Sequence, residues 1–306
     1  MNEDEEDEIR DIINTWLDAN MEIFGEILEE WEENEYVQPY SYSKTQFKCN
    51  DCAKCCNFSL SNHWVWIYPY DMVKWLQKLD DEEYSPLFLS AIFPVEDLDG
   101  ISGYGLPSQK EISIRYEEMI RENKKFPIVQ KTLQAILRNL KRLNPDFDPT
   151  SNYCIYYTPN PKYNSGHCLI YKNRPIQCQA YPFDYPQFTK FVIPGYKEEI
   201  QDEELPLCPS STYIGGDPKD KVKISEDSIE NVIIEKANYK TSVVIEDWSK
   251  KSEEWKKIKD LDLCDLFLQY FHKDILALER KTKYIKDKNQ KSAKYMAGKR
   301  PARKKR

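Results

Sequence analysis

Apolar residues recur at three- and four-residue steps over several long stretches, and each stretch predicts an amphipathic helix. The first covers residues 6–33, where Ile9, Ile13, Trp16, Leu17, Phe24, Leu28 and Trp31 alternate with charge. Residues 108–123 and 127–143 predict two more, the second with Leu133, Ile136, Leu137, Leu140 and Leu143 on one face. Asn144-Pro145 and Asp148-Pro149 end it, because the residue before a proline is pushed out of the helical region. Pro69 suits a helix start, and a helix is expected from there through Leu79. Helical spacing returns over residues 240–258 and 261–280, with Leu263, Phe267, Phe271 and Leu278 on one side of the latter. There is no internal repeat.

The period changes elsewhere. Residues 64–68 suit a short strand. Residues 152–196 are rich in Tyr and Pro and favour short strands and turns over helix. Within them, residues 154–157 are expected to pair with residues 167–171 as a hairpin, and Phe188–Ile193 is a further strand candidate. Residues 37–62 are polar, and residues 194–220 read as an irregular loop.

Composition narrows the chemistry. The 306 residues include nine Cys, three His and nine Gly. No stretch approaches the roughly 18–20 apolar residues of a membrane span. The opening residues are acidic where a signal peptide is basic and then apolar, so a cytoplasmic protein is expected. A reducing compartment disfavours structural disulfides and turns clustered Cys toward metal binding or reactivity. No Gly-rich dinucleotide fingerprint or phosphate loop is present, and the run from Gly100 to Gly105 has the wrong spacing for either. The net charge of -8 conceals a gradient. Residues 1–35 carry 15 acidic residues against Arg10, and residues 281–306 carry 12 basic residues against Asp287. The acidic body would repel phosphate, so nucleic acid is not an expected partner of the basic tail. A protein partner remains open.

The first cysteine cluster is Cys49, Cys52, Cys55 and Cys56. Two successive two-residue gaps let three sulfurs converge from one loop, and thiolates favour zinc and iron–sulfur centres. Adjacent Cys55 and Cys56 do not easily both ligate one tetrahedral ion, so one of them can turn to a second centre. The second group is Cys154, Cys168 and Cys178, where buried apolar cysteine competes with a ligand role. Between the last two, Arg174-Pro175 favours a turn into a helix start that would fold Cys178 back. A remote Cys208-Pro209 matches the Cys-Pro that closes ferredoxin ligand runs.

Together these residues resemble the YkgJ-type cysteine-cluster family, a zinc- or iron-chelating domain. The matching positions are Cys49, Cys52, Cys55 and Cys56, then Cys154, Cys168-Leu-Ile-Tyr171, Arg174-Pro175, Cys178, Tyr181-Pro182 and Cys208-Pro209. The resemblance covers about residues 45–210. Gln179 stands where the family has Arg, and Ser210 where it has Gly. The resemblance implies that all eight of these cysteines are ligands. Flagellin lysine N-methylases resemble the same cysteine pattern, which makes a protein-modifying enzyme one alternative, by analogy only.

Other residues have plainer readings. Cys264 falls within an apolar helical stripe and is expected in the core. His167, Arg174 and Tyr181 are candidates to support the ligands from behind, and His63 lies near the first cluster. Asp184 reads as a turn-capping residue.

The expected fold is α+β: an irregular, Cys-rich, metal-stabilised core with short strands, wrapped by several helices. Four regions are expected. Residues 1–36 form an acidic amphipathic helix. Residues 37–220 form a cysteine-cluster domain with a helical insertion at about 69–143. Residues 221–280 form a helical C-terminal region, and residues 281–306 a basic flexible tail. The expected function is metal binding, with an iron–sulfur cluster (a 4Fe-4S cubane among the options) preferred over zinc, and a role in electron transfer or protein modification. The alternative is a structural zinc module for interaction.

Overall fold

A computed structural model describes residues 3–33, 46–47, 54–61, 64–79, 84–96, 100–160, 165–183, 222–223, 226–251, 262–278 and 280. The predicted first helix is α1, Glu3–Glu33. Its apolar stripe is used in two parts. Ile9, Ile13 and Leu17 enter the main core, while Ile23, Phe24 and Ile27 form a second cluster with Ala237. A long stripe with polar neighbours therefore docks the helix along its length.

Strand β1 (Gln46–Phe47) is followed by a tight turn at Lys54–Cys56, helix α2 (Phe58–Ser61) and strand β2 (Val65–Ile67). Helix α3 (Pro69–Leu76) starts on its proline, whose fixed φ suits a first turn. Helix α4 (Ser85–Ser90) leads to strands β3 (Phe93–Glu96) and β4 (Ser102–Leu106). Helix α5 (Gln109–Glu122) is capped by Ser108, which accepts from the Glu111 amide at 3.1 Å. The Glu111 carboxylate in turn accepts from the Ser108 amide at 2.8 Å, so two otherwise orphaned donors are satisfied reciprocally. Helix α6 (Pro127–Leu143) buries Leu133, Ile136 and Leu140 as its stripe predicts. Strands β5 (Tyr157–Asn160) and β6 (Ser165–Cys168) precede helix α7 (Ile176–Ala180). Strand β7 (Val222–Lys223), helix α8 (Glu226–Lys251) and helix α9 (Leu263–Tyr270) complete the order.

The sheets are small and antiparallel. β4 lies between β2 and β3, β5 pairs with β6, and β1 pairs with β7. This is a mixed helix-and-strand architecture, consistent with the α+β expectation at that level. The main core joins Trp75, Leu87, Phe88, Ile112, Ile136, Ile155, Tyr156, Phe267 and Phe271. Cys264 is 4 % exposed in that core, as its place in the apolar stripe predicts. Among the described residues no helix is long and apolar enough to cross a membrane.

Three elements differ from the sequence expectation. The stretch at about 69–143 also supplies β3 and β4, because Phe93–Glu96 and Ser102–Leu106 pair as a hairpin and β4 pairs on its other edge with β2, earlier in the chain. The expected hairpin sits further along the chain. Tyr157 pairs with Cys168 and Asn160 with Ser165, while Cys154 turns away to bridge Ser108. Helix α8 begins at Glu226, earlier than the predicted residue 240. The strand candidate Phe188–Ile193, the loop at 194–220 and the tail at 281–306 lie outside the described residues.

Candidate metal centre

The cysteine-bearing segments are brought together by backbone pairing. The Cys154 amide donates to the Cys56 carbonyl at 2.8 Å, and the Phe58 amide to the Asn152 carbonyl at 3.1 Å. Asn57 and Tyr153 form the bridge between these two bonds. The turn carrying Cys55 and Cys56 is thus laid antiparallel against residues 152–154, about a hundred positions later in the chain.

The other side of Cys154 is held by two buried amides. Gln109 Nε2 donates to the Cys154 and Tyr157 carbonyls, both at 3.2 Å, while its Oε1 accepts from the Asp148 amide at 2.7 Å. Asn144 Nδ2 donates to the Tyr157 carbonyl at 2.7 Å. A buried turn leaves carbonyls without ladder partners, and side-chain amides are the groups that can satisfy them. Cys168 then arrives opposite Tyr157 through the β5–β6 hairpin. The hairpin requires Gly166, where a Cβ would stand 2.1 Å from the Tyr157 ring.

Cys178 rides on α7, whose start follows Arg174-Pro175 as expected. Three contacts fix this segment. Trp75 Nε1 donates to the Asn173 carbonyl at 2.8 Å. The buried Asp71 carboxylate accepts from the Ile176 amide at 2.8 Å and from the Tyr68 amide at 3.3 Å. Gln177 Oε1 accepts from the Trp66 amide at 2.7 Å. Burial is the dominant influence on Asp71 and pushes its pKa up to about 7.

Five cysteines and one cation form an electrostatic cluster. Cys55 is exposed, Cys56, Cys168 and Cys178 are half-buried, and Cys154 is buried. The Cys56 thiol donates to Cys55, which lowers Cys55 and raises Cys56. Burial pushes Cys154 up to about 12, with Cys168 and Cys55 adding to the rise. Burial also raises Cys178, and Cys154, Cys168 and Cys55 push it further while Arg174 opposes them. Cys168 is raised by burial and held back by the Ile170 amide and Arg174. Arg174 itself lies over the Tyr171 ring, 4.3 Å from its centroid. The thiols are therefore close enough to feel one another's charge, and among the described residues Arg174 is the cation that opposes them.

The Tyr156 hydroxyl is buried and has no hydrogen-bond partner among the described residues. Burial is the main influence that raises its pKa, and Cys154, Tyr116 and Cys168 add to the rise. A neutral phenol there is a hydrogen-bond donor available to sulfur.

Of the sequence candidates, Cys55, Cys56, Cys154, Cys168, Cys178 and Arg174 are brought together. Cys49, Cys52, Cys208, His63 and Asp184 lie outside the described residues. His167 is exposed on β6, and Tyr181 is half-buried just after α7. Among the described residues, no three His, Cys, Asp or Glu side chains stand close enough to hold a metal ion as they are placed. Sequence reasoning missed Gln109, Asn144, Asp71 and Gln177. Each is a polar residue at the edge of an apolar stripe, and that misfit was the available clue. No family model, curated protein or solved structure matches the chain.

Proposed function

We propose that this chain is a metal-binding cysteine-cluster protein whose resident group is an iron–sulfur centre. The observation that carries the reading is the convergence of Cys55, Cys56, Cys154, Cys168 and Cys178 from three separate stretches of chain. Buried thiols that raise one another's pKa are poor thiolates on their own, and a bound cation offsets that penalty. The donor set is all sulfur, which fits iron–sulfur and zinc and does not fit hard cations. Cys49, Cys52 and Cys208 complete the proposed ligands, following the spacing and the resemblance to the YkgJ-type family. A bound iron–sulfur cluster would supply one-electron chemistry for electron transfer or for modifying a partner.

The chain's own residues have distinct parts in this reading. Asp71 and Gln177 hold the helix of Cys178, Gln109 and Asn144 hold the turn of Cys154, and Gly166 lets the hairpin of Cys168 close. Arg174 offsets negative charge on the sulfurs, and the unbonded Tyr156 hydroxyl is a donor still available in the core around them. Metal would then stabilise the irregular core as well as supply chemistry.

Anaerobically purified protein is expected to contain iron and acid-labile sulfide and to absorb broadly in the visible. Loss of that absorption in Cys154→Ser and Cys178→Ser would tie it to this cluster. Colourless protein with zinc in integer ratio would replace iron–sulfur by the structural zinc alternative. Protein carrying neither metal would sink both.

A further inference from the structure

The far end of the α5–α6 hairpin is an apolar tip set among cations. Gln109, which opens α5, and Asn144, which follows α6, both hold the turn of Cys154. The two helices therefore run away from the cysteines and are joined about 20 Å off along the helix axis. At that join every residue from Lys124 to Ile128 is exposed. Phe126 is 61 % exposed and Ile128 58 %. Lys124 and Lys125 precede them and Lys131 follows one turn on, also exposed. The tip is held in shape by its own bonds. The Phe126 amide donates to the Asn123 carbonyl at 2.9 Å, Gln130 Nε2 donates to the Ile120 carbonyl at 2.7 Å, and Val129 packs against the main core. The basic surface continues along α6, which carries Lys131, Arg138, Lys141 and Arg142 and no acidic residue. Lys131, Gln134, Arg138 and Lys141 recur at three- and four-residue steps and are exposed, opposite the buried Leu133, Ile136 and Leu140.

We infer that this tip and the outer face of α6 dock on an anionic membrane surface. Adjacent large apolar side chains left in water mark an interaction site, and a preformed tip loses little freedom on docking. The charge around them selects the partner. Lysines beside an apolar tip lay their stems along the acyl boundary and keep their ammonium groups among anionic headgroups. A bilayer interface accepts a convex apolar end and its ring of cations together. A protein partner would need a matching concave pocket lined with acids, and a nucleic acid offers charge without an apolar phase for Ile128. The chain would lie on the bilayer and not span it, with α6 against the headgroups. The side of α5 that carries Glu117, Glu118 and Glu122 would be repelled, and Arg121 there is engaged by Glu118 at 3.9 Å. The acidic α1 packs chiefly along α8, α9 and α3, so the tip and the strongest negative charge belong to different elements.

Co-sedimentation of the full chain with vesicles tests this, using phosphatidylcholine alone and an equal mixture of phosphatidylcholine and phosphatidylserine. Residues 281–306 are basic and can draw the chain to any polyanion, so the inference is read from tip variants against the wild type. Phe126→Ser is expected to weaken partition to the mixed vesicles about tenfold. Lys124→Glu combined with Lys125→Glu is expected to weaken it by about tenfold or more. In Phe126→Trp, brominated lipids are expected to quench tryptophan emission beyond their effect on the wild type, as insertion of that position requires. These positions are exposed, and circular dichroism on the same samples checks that the fold is kept. Binding that the tip substitutions leave unchanged would assign it to residues 281–306 and overturn the inference. Equal partition to both kinds of vesicle, no binding to either, or no added quenching in Phe126→Trp would also overturn it. So would duplex DNA binding that Phe126→Ser weakens as strongly as it weakens vesicle binding, because the face would then be a general polyanion site. Metal content plays no part in these readouts, so the inference stands or falls apart from the cysteine proposal.

Discussion

At the scale of single residues, the polar groups buried around the cysteines make the clearest predictions. Tyr156 places a hydroxyl in the core with no partner among the described residues. An unsatisfied buried hydroxyl costs free energy, so Tyr156→Phe in metal-depleted protein is expected to leave stability unchanged or raise it by about 1 kcal/mol. A loss of several degrees in melting temperature would mean that the hydroxyl is already bonded. Asp71 predicts a pH dependence. Its folded pKa of about 7 lies above the ordinary aspartate value, so the folded state holds the proton more tightly than the unfolded state. This contribution is complete below pH of about 4 and disappears as pH rises through about 7. Urea unfolding of the wild type should give lower stability at pH 8 than at pH 5.5. Asp71→Asn should flatten that difference. It should also lower stability at both pH values, by about 1–3 kcal/mol, because one backbone donor loses its acceptor.

At the scale of elements, helix ends and stripes follow local rules, whereas strand partners do not. Ser108 and Glu111 announce α5, Pro69 announces α3, and Pro127 announces α6. The hairpin was expected too, but its register moved toward the loop because residues 154 and 155 pair elsewhere. Strands β3 and β4 went unread: Pro94 and two glycines, Gly103 and Gly105, break any alternation a strand would display. Their glycines serve the tertiary contacts, Gly103 beneath Trp66 and Gly105 beside Val95. Gly166→Ala tests such a contact in the hairpin. The added methyl must displace the Tyr157 ring, and thermal unfolding is expected to show a loss of about 1–3 kcal/mol. An unchanged melting temperature would show that the ring is not confined there.

At the scale of the whole molecule, α1 is part of the body. Ile9, Ile13 and Leu17 share the main core with Phe267 and Phe271, so the two ends of the described chain meet. Arg10 Nε donates to the Tyr270 hydroxyl at 3.2 Å, and Lys273 pairs with Glu6 across the same seam. Both contacts are exposed and contribute little beside the apolar burial. Leu17→Ala should therefore cost about 2–5 kcal/mol in denaturant unfolding. Lys273→Ala should barely shift the transition. The opposite ranking would make α1 a loosely attached helix available to a partner.

Helices, their stops, the core position of Cys264 and the grouping of cysteines into candidate ligands were legible in the linear order of residues. These features depend on spacings within one or two turns, which a chain displays without folding. The meeting of Cys56 with Cys154, the cradle of Gln109 and Asn144, and the anchoring of the Cys178 helix by Asp71 and Gln177 were not legible. Each joins residues far apart in sequence, and long-range pairing depends on register and packing that leave no periodic trace. The chain displays which residues can do chemistry; the fold chooses which of them meet, because a contact gains its energy only after distant segments have been closed together.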